Sequence, residues 1–142
     1  MTGKPESETN GETLVFTCAG AAHSGQVANL AGVQLAQQGA GKLFCIAAVA
    51  AQVEDKLERT RKAGRRVAID GCEDHCCRKV LEMAEVPVDL HCVVTDLGIE
   101  KSGQGRSLMD DSKKVTDHVK ERLGIETQAG PGGGGCCGGS RG

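Results

Sequence analysis

Residues Arg65–Cys72 read RRVAIDGC: a short apolar, β-branched run that stops at Gly71 and delivers a cysteine. Behind it, Cys76, Val80, Leu81 and Ala84 fall at helical spacing, and Pro87 prevents that helix from running on. Strand, tight turn and helix make half of a crossover unit, and the same pattern recurs on both sides. Upstream, Thr13–Thr17 (TLVFT) is a strand ending at Cys18, followed by a small-residue loop, Ala19 to His23, and by Ser24 as a candidate N-cap. Val27, Leu30, Ala31 and Leu35 then keep helical spacing up to Gly39, which reads as the stop. Lys42–Cys45 (KLFC) is a second short strand, and Ile46, Val49, Val53 and Leu57 predict a helix that Gly64 ends. Downstream, Cys92–Thr95 (CVVT) is a fourth strand ending at Asp96-Leu97-Gly98. Ser102–Arg106 is a loop, and Asp110–Leu123 is an amphipathic helix with Val115, Val119 and Leu123 on one face.

Alternating strands and helices predict a parallel sheet with right-handed crossovers, and continuous apolar strands predict a sheet covered on both faces. The expected fold class is therefore α/β: a small three-layer sandwich with a mainly parallel four-stranded sheet, Rossmann-like in arrangement. A chain of 142 residues allows one domain. Its expected limits are residues 13–126. Met1–Glu12 is a polar arm expected to be disordered, and residues 127–142 are a Gly-rich tail, expected to be flexible, carrying Cys136-Cys137.

Composition narrows the function classes. Seventeen Lys and Arg against nineteen Asp and Glu give a net charge of −2, which removes the usual case for nucleic acid or an anionic membrane as partner. Phe16 and Phe44 are the only aromatic rings, which excludes base-stacking platforms and aromatic cages and predicts an Ala-rich, closely spaced core. Nothing in Met1–Glu12 resembles a signal peptide, and no apolar run approaches the ~18 residues of a membrane helix. The expected compartment is the cytoplasm, where cysteines serve as metal ligands or redox groups more often than as disulfide partners.

The eight cysteines are not scattered. Cys18, Cys45 and Cys72 lie 27 residues apart, one crossover unit per step. Each unit returns the chain to the same edge of a parallel sheet, the carboxyl edge, where open α/β folds bind ligands. Cys76, four residues beyond Cys72 in the first turn of the next helix, can point back to that edge. Four converging thiols suit a tetrahedral soft ion, and Zn²⁺ is the expected cofactor. Helix starts nearby supply positive dipole ends, expected to lower the thiol pKa values and favour thiolate. Cys77, turned by about 100° from Cys76 on a helix, and Cys92, near the start of its strand and so at the opposite edge, read as packing residues. Asp70 and Asp96 end strands at the binding edge, where a carboxylate either orients a ligand or fixes a turn by accepting backbone N–H bonds. His91 and His118 read as structural or solvated. Cys136 and Cys137 form a candidate dithiol that could carry a soft metal or a sulfur species to a protein partner. An unselected terminus explains that pair equally well.

Ile69-Asp70-Gly71-Cys72, with Cys76, Lys79 and Leu81 after it, resembles the DGC domain family of zinc-binding proteins. Cys18-Ala19-Gly20, Gly25-Gln26, Cys45, and Val94-Thr95-Asp96-Leu97-Gly98-Ile99 with Lys101 fit the same pattern. The resemblance implies zinc on Cys18, Cys45, Cys72 and Cys76, and it implies no particular activity. Ala21-Ala22-His23 departs from the family's more polar loop and places His23 beside the site as a candidate further ligand or acid. Cys18, its loop and the following helix also resemble the phosphate loop of low-molecular-weight tyrosine phosphatases. That loop needs five residues between its Cys and an Arg clamp. Only Ala19–Ala22 separate Cys18 from His23 and no Arg lies nearby, so phosphatase chemistry is not expected. The resulting expectation is a zinc-binding protein rather than an enzyme, in a structural or metal-handling role. The alternative is a thiol-based sulfur or soft-metal transfer protein using the same cysteines and the tail pair.

Overall fold

The computed structural model describes residues 11–125. The domain's outer limits, the arm up to residue 10 and the Cys136-Cys137 tail lie outside the described residues.

Four strands form one all-parallel sheet: β1 (Thr13–Thr17), β2 (Lys42–Leu43), β3 (Arg65–Asp70) and β4 (Leu90–Val93), in the order β2-β1-β3-β4. Five α-helices accompany them: α1 (His23–Gln37), α2 (Ile46–Ala50), α3 (Glu54–Lys62), α4 (Cys76–Met83) and α5 (Leu108–Leu123), with a 3-10 turn at Val94–Leu97. Side chains alternate between the two faces along each strand, as the pleat requires. Val15, Val67, Ile69 and Cys92 pack with Val27, Ala31 and Leu35 of α1 and Val115 and Val119 of α5. Leu14, Phe16 and Ala68 face Val49, Leu57, Cys77 and Leu81 on the other side. The sheet is thus the middle of three layers, which is the expected α/β sandwich.

The core is aliphatic, with Val and Leu prevailing over the Ala that composition led one to expect, and close helix–sheet spacing is confined to particular glycines. A Cβ on Gly32 of α1 would lie 2.6 Å from Thr17 Cγ2, so this helix packs against the sheet closer than alanine permits. Phe16 is fully buried and meets Phe44 edge-on, with centroids 5.8 Å apart.

Several boundaries differ from the sequence reading, each for a local reason. Ala22, not Ser24, is the N-cap of α1. Ser24 lies inside the first turn, where its Oγ is buried without a hydrogen-bond partner among the described residues. The helix expected from Ile46 through Leu57 is broken in two, because Gln52 takes a left-handed conformation (φ 59°) between α2 and α3. The fourth strand begins two residues early and ends at Val93, with Val94 and Thr95 in the 3-10 turn. Cys92 therefore pairs with Ile69 near the carboxyl end of the sheet rather than at the opposite edge, and it is buried there. The last helix starts at Leu108 because Ser107 Oγ accepts the Asp110 N–H, 3.1 Å away. Glu12, read as part of the arm, is tied in: its carboxylate takes a two-pronged bond from Arg59, and its carbonyl accepts Gly64 N–H and Arg65 N–H.

Gly39 does stop α1. At φ 76° it lets Ala40 N–H reach back to the Leu35 carbonyl and its own N–H to Ala36, a double closure of the helix end.

Candidate metal centre

Strand order decides which loops meet. β1 is flanked by β2 on one side and β3 on the other, so the chain reverses its direction of travel across the sheet between β1 and β3. The loops leaving these two strands run to opposite faces: α1 belongs to one packing layer and α4 to the other. In open α/β sheets such a reversal leaves a crevice outside the carboxyl ends of the strands. Cys18 follows β1 and Cys72 follows β3, one on each side of it. Cys45 follows β2 in the next row as the N-cap of α2, and Cys76 is the first residue of α4. All four thiols therefore leave the same edge. Cys18 and Cys72 are half-buried, while Cys45 and Cys76 are exposed.

The backbones around Cys18 and Cys72 are in contact. A Cβ on Gly25, in the first turn of α1, would stand 2.7 Å from Gly20 Cα, and one on Gly71 would stand 2.7 Å from Gly25 N. Gly20, Gly25 and Gly71 thus stack the Cys18 loop, the start of α1 and the Cys72 turn without intervening side chains. Gly71 N–H donates to Cys18 Sγ at 3.3 Å, and Gln26 Nε2 donates to the Gly20 carbonyl at 2.7 Å. In the sequence Gly71 marks a strand end, and Gly20 and Gly25 belong only to a family pattern; packing contact is what requires all three.

Electrostatics at Cys18 differ from the expectation. Burial pushes its thiol pKa up, and this outweighs the lowering by backbone N–H bonds from Gly20 and Gly71. The charges of Asp70 and Cys76 add to the rise. Desolvation of the anion wins over peptide dipoles here. Cys77 and Cys92 are both buried; burial raises Cys77 further still and pushes Cys92 up to about 11, as suits packing thiols.

Asp70 acts on the edge through α4. Its Oδ1 accepts Cys77 N–H at 2.7 Å, and its Oδ2 accepts Arg78 N–H at 3.2 Å. The carboxylate thereby caps the helix that begins with Cys76, a turn-fixing role that determines where this thiol stands. His91 Nε2 also bonds Oδ2, at 2.8 Å. Because Arg78 can only donate to His91 Nδ1, the Nε2 nitrogen carries the ring proton and donates it to Asp70. His91 is structural, as expected.

His23 bonds Asp111 Oδ2 through Nε2, at 2.9 Å. Asp111 is fully buried on α5 and also receives the Arg106 guanidinium, with Nε 3.0 Å from Oδ2 and a second, shorter contact from the other nitrogen. The Arg106 and His23 bonds hold Asp111 well below its ordinary 3.8, at about 2, against the opposing effect of burial. A carboxyl more acidic in the folded than in the unfolded chain contributes stability that is complete above about pH 4 and lost as pH falls towards 2. Asp111→Asn is therefore expected to flatten the acid limb of the stability curve over that window. Urea unfolding at pH 5 and pH 2.5 measures it, and an unchanged pH dependence in the variant would refute the assignment.

Lys101 Nζ lies 3.9 Å from Asp74 Oδ2, in the turn that carries Cys72. Cys72 and then Asp74 hold its pKa above the ordinary lysine value. Nothing in the local sequence announces the ion pair with Asp74, which comes from a loop 27 residues downstream.

Among the described residues, no three His, Cys, Asp or Glu side chains are gathered closely enough to hold a metal ion. The four thiols share an edge without being closed into one ligand set.

The profile of the DGC domain family matches residues 14–119, which spans every element from β1 to most of α5. The chain belongs to the DGC domain family. It is 32% identical over 88 residues to the anaerobic and virulence modulator AnvM of Pseudomonas aeruginosa, an alignment covering 62% of this chain and 67% of that protein. No solved structure matches the chain. No helix among the described residues is long and apolar enough to cross a membrane.

Proposed function

We propose that this DGC domain is a metal-binding protein that holds Zn²⁺ through Cys18, Cys45, Cys72 and Cys76, in a structural or metal-handling role in the cytoplasm. The observation that carries the reading is topological. Three adjacent parallel strands and the helix after the central turn each bring one cysteine to the same sheet edge, at the crevice left by the strand-order reversal. The donor chemistry fits: thiolates are soft ligands suited to zinc, and zinc with four of them carries a formal charge of −2. Lys101 beside Cys72 and the Gly71 N–H on Cys18 are placed to offset that charge. Bound zinc would supply a charged, tetrahedral cross-link between three loops. Asp70 fixes the start of α4 and hence Cys76, while the stack of Gly20, Gly25 and Gly71 fixes the separation of Cys18 and Cys72.

Native mass spectrometry with thiol counting tests this. Protein purified anaerobically is expected to carry one zinc per chain, and Cys72→Ser and Cys76→Ser are each expected to lose it. Full retention of zinc by both variants would rule the site out. Cys92→Ala is expected to leave zinc content unchanged.

The exposure of Cys45 and Cys76 favours a second reading, a thiol-based transfer protein passing a soft metal or sulfur species through these cysteines. Cys136 and Cys137 would then be the exchanging dithiol and the contact for a protein partner. Replacing both by serine would stop exchange while leaving the zinc of the domain in place.

A further inference from the structure

The segment from Ile99 to Arg106 crosses the edge at which the thiols emerge, and it is fastened at four points. Ile99 is buried in the core at one end. The Lys101 carbonyl accepts Ser24 N–H at 3.1 Å, in the first turn of α1, while Lys101 Nζ stands 3.9 Å from Asp74 Oδ2 in the Cys72 turn. Gly103 is buried against His23 so closely that a Cβ there would fall 1.9 Å from the ring's Cδ2. At the far end Arg106 grips Asp111, the same buried carboxylate that holds His23.

We propose that residues 99–106 are a clasp that ties the start of α1, beside the Cys18 loop, to the Cys72 turn, and that Asp111 is its catch. The catch is a single buried carboxylate on α5 shared between the clasp, through Arg106, and the start of α1, through His23. Releasing Arg106 frees one end of the segment. Releasing Asp111 also frees the ring on which Gly103 rests. Glycines at φ 56° (Gly103) and 75° (Gly105) give the segment its tight path, so its closed form depends on these attachments rather than on regular secondary structure. Clasp opening removes the Lys101 ammonium from the Cys72 turn and loosens the start of α1. The consequence for metal rests on the zinc reading above: opening sets the rate at which zinc leaves the site, without changing how much is bound at saturation.

Amide hydrogen exchange by NMR on the full chain reads the clasp directly, because Ser24 N–H is covered by the Lys101 carbonyl and Arg106 N–H by the Gly103 carbonyl. Arg106→Gln, at a side chain 45% exposed, and Asp111→Asn are both expected to speed exchange at Ser24 and Arg106. The expected increase is about fivefold to thirtyfold, the range for losing one such anchor. The amides of Val67–Ile69 in β3 should accelerate less, by no more than the global stability that each variant loses in urea. Transfer of zinc to a chromogenic chelator should accelerate in the same order, Asp111→Asn at least as fast as Arg106→Gln, with stoichiometry unchanged. Wild-type exchange at Ser24 in Arg106→Gln would overturn the clasp, as would equal acceleration in β3, which would report global loosening. Faster exchange with unchanged zinc release would overturn its control of the site. A wild-type protein that binds no zinc would refute the metal reading alone, since the exchange rates decide the clasp without any metal.

Discussion

Arg66→Ala is expected to lower stability by about 3 kcal/mol, the largest loss predicted for any single side chain outside the thiol edge. Arg66 is the second residue of β3 and is 8% exposed. Its NH1 donates to the carbonyls of Thr60, Arg61 and Ala63 at 3.0, 3.2 and 3.0 Å, and its Nε donates to the Pro87 carbonyl at 2.9 Å. Three of these acceptors lie at or just past the end of α3, where carbonyls lack partners within the helix and the dipole favours a cation. The fourth belongs to the turn leading into β4. One guanidinium thus joins α3, the sheet and the α4–β4 turn, and alanine takes the side-chain donor from all four carbonyls, leaving Thr60's with only the long 3.4 Å bond from Ala63 N–H. The ion pair with Asp89 adds little, because that carboxylate is 37% exposed and rehydrates. For a domain of this size the loss corresponds to a melting temperature lower by upwards of ~10 °C, measurable by circular dichroism. Arg66→Lys should recover only part of it, since an ammonium cannot reproduce the planar fork. A variant melting within about 2 °C of wild type would show that water serves these carbonyls as well as the guanidinium does.

Arg66 also shows where reading the sequence stops. Apolar periodicity made RRVAID a strand and covered sheet faces made it a central one, and both conclusions follow from residues a few positions apart. An arginine within that run looks like a strand start at solvent, because the carbonyls it serves belong to segments legible only after folding. The thiol site divides in the same way. Equal spacing placed Cys18, Cys45 and Cys72 at one edge because topology alone puts them there. The reversal between β1 and β3 depends on which side of β1 each strand docks, and no local pattern records that choice. Cys92 lies near the carboxyl end rather than at the expected opposite edge because its strand starts at Leu90, with Val94 and Thr95 turning away into a 3-10 turn despite their β-branched side chains. Gln52 broke a helix whose apolar spacing was intact, since a left-handed residue leaves no mark on hydrophobic periodicity.

Gly71→Ala should have the largest effect at the thiol edge. The added methyl would stand 2.7 Å from Gly25 N, 2.8 Å from Gly25 Cα and 2.8 Å from Ser24 C, all backbone atoms in the first turn of α1. No flexible side-chain end is available to yield, so either α1 moves off the end of β3 or the Cys72 turn does. Overpacking of this kind costs about 1–3 kcal/mol. Its consequence for the site is larger than its consequence for the fold. The Gly71 N–H that bonds Cys18 Sγ moves with the turn, and Cys18 and Cys72 separate. Loss of a neighbour that orients ligands typically weakens metal binding by about 10–100-fold, and zinc affinity is expected to fall in that range. Gly39→Ala is the control. Nothing lies within 4 Å of a Cβ there, and its cost is the left-handed φ of 76° alone, about 1 kcal/mol, with zinc affinity unchanged. Chelator competition gives the affinities and thermal melts the stabilities. If Gly71→Ala binds zinc as wild type does, the close stack of Gly20, Gly25 and Gly71 is not what sets the spacing of the two thiols. If Gly39→Ala weakens zinc equally, the effect belongs to stability in general rather than to the contact between these backbones.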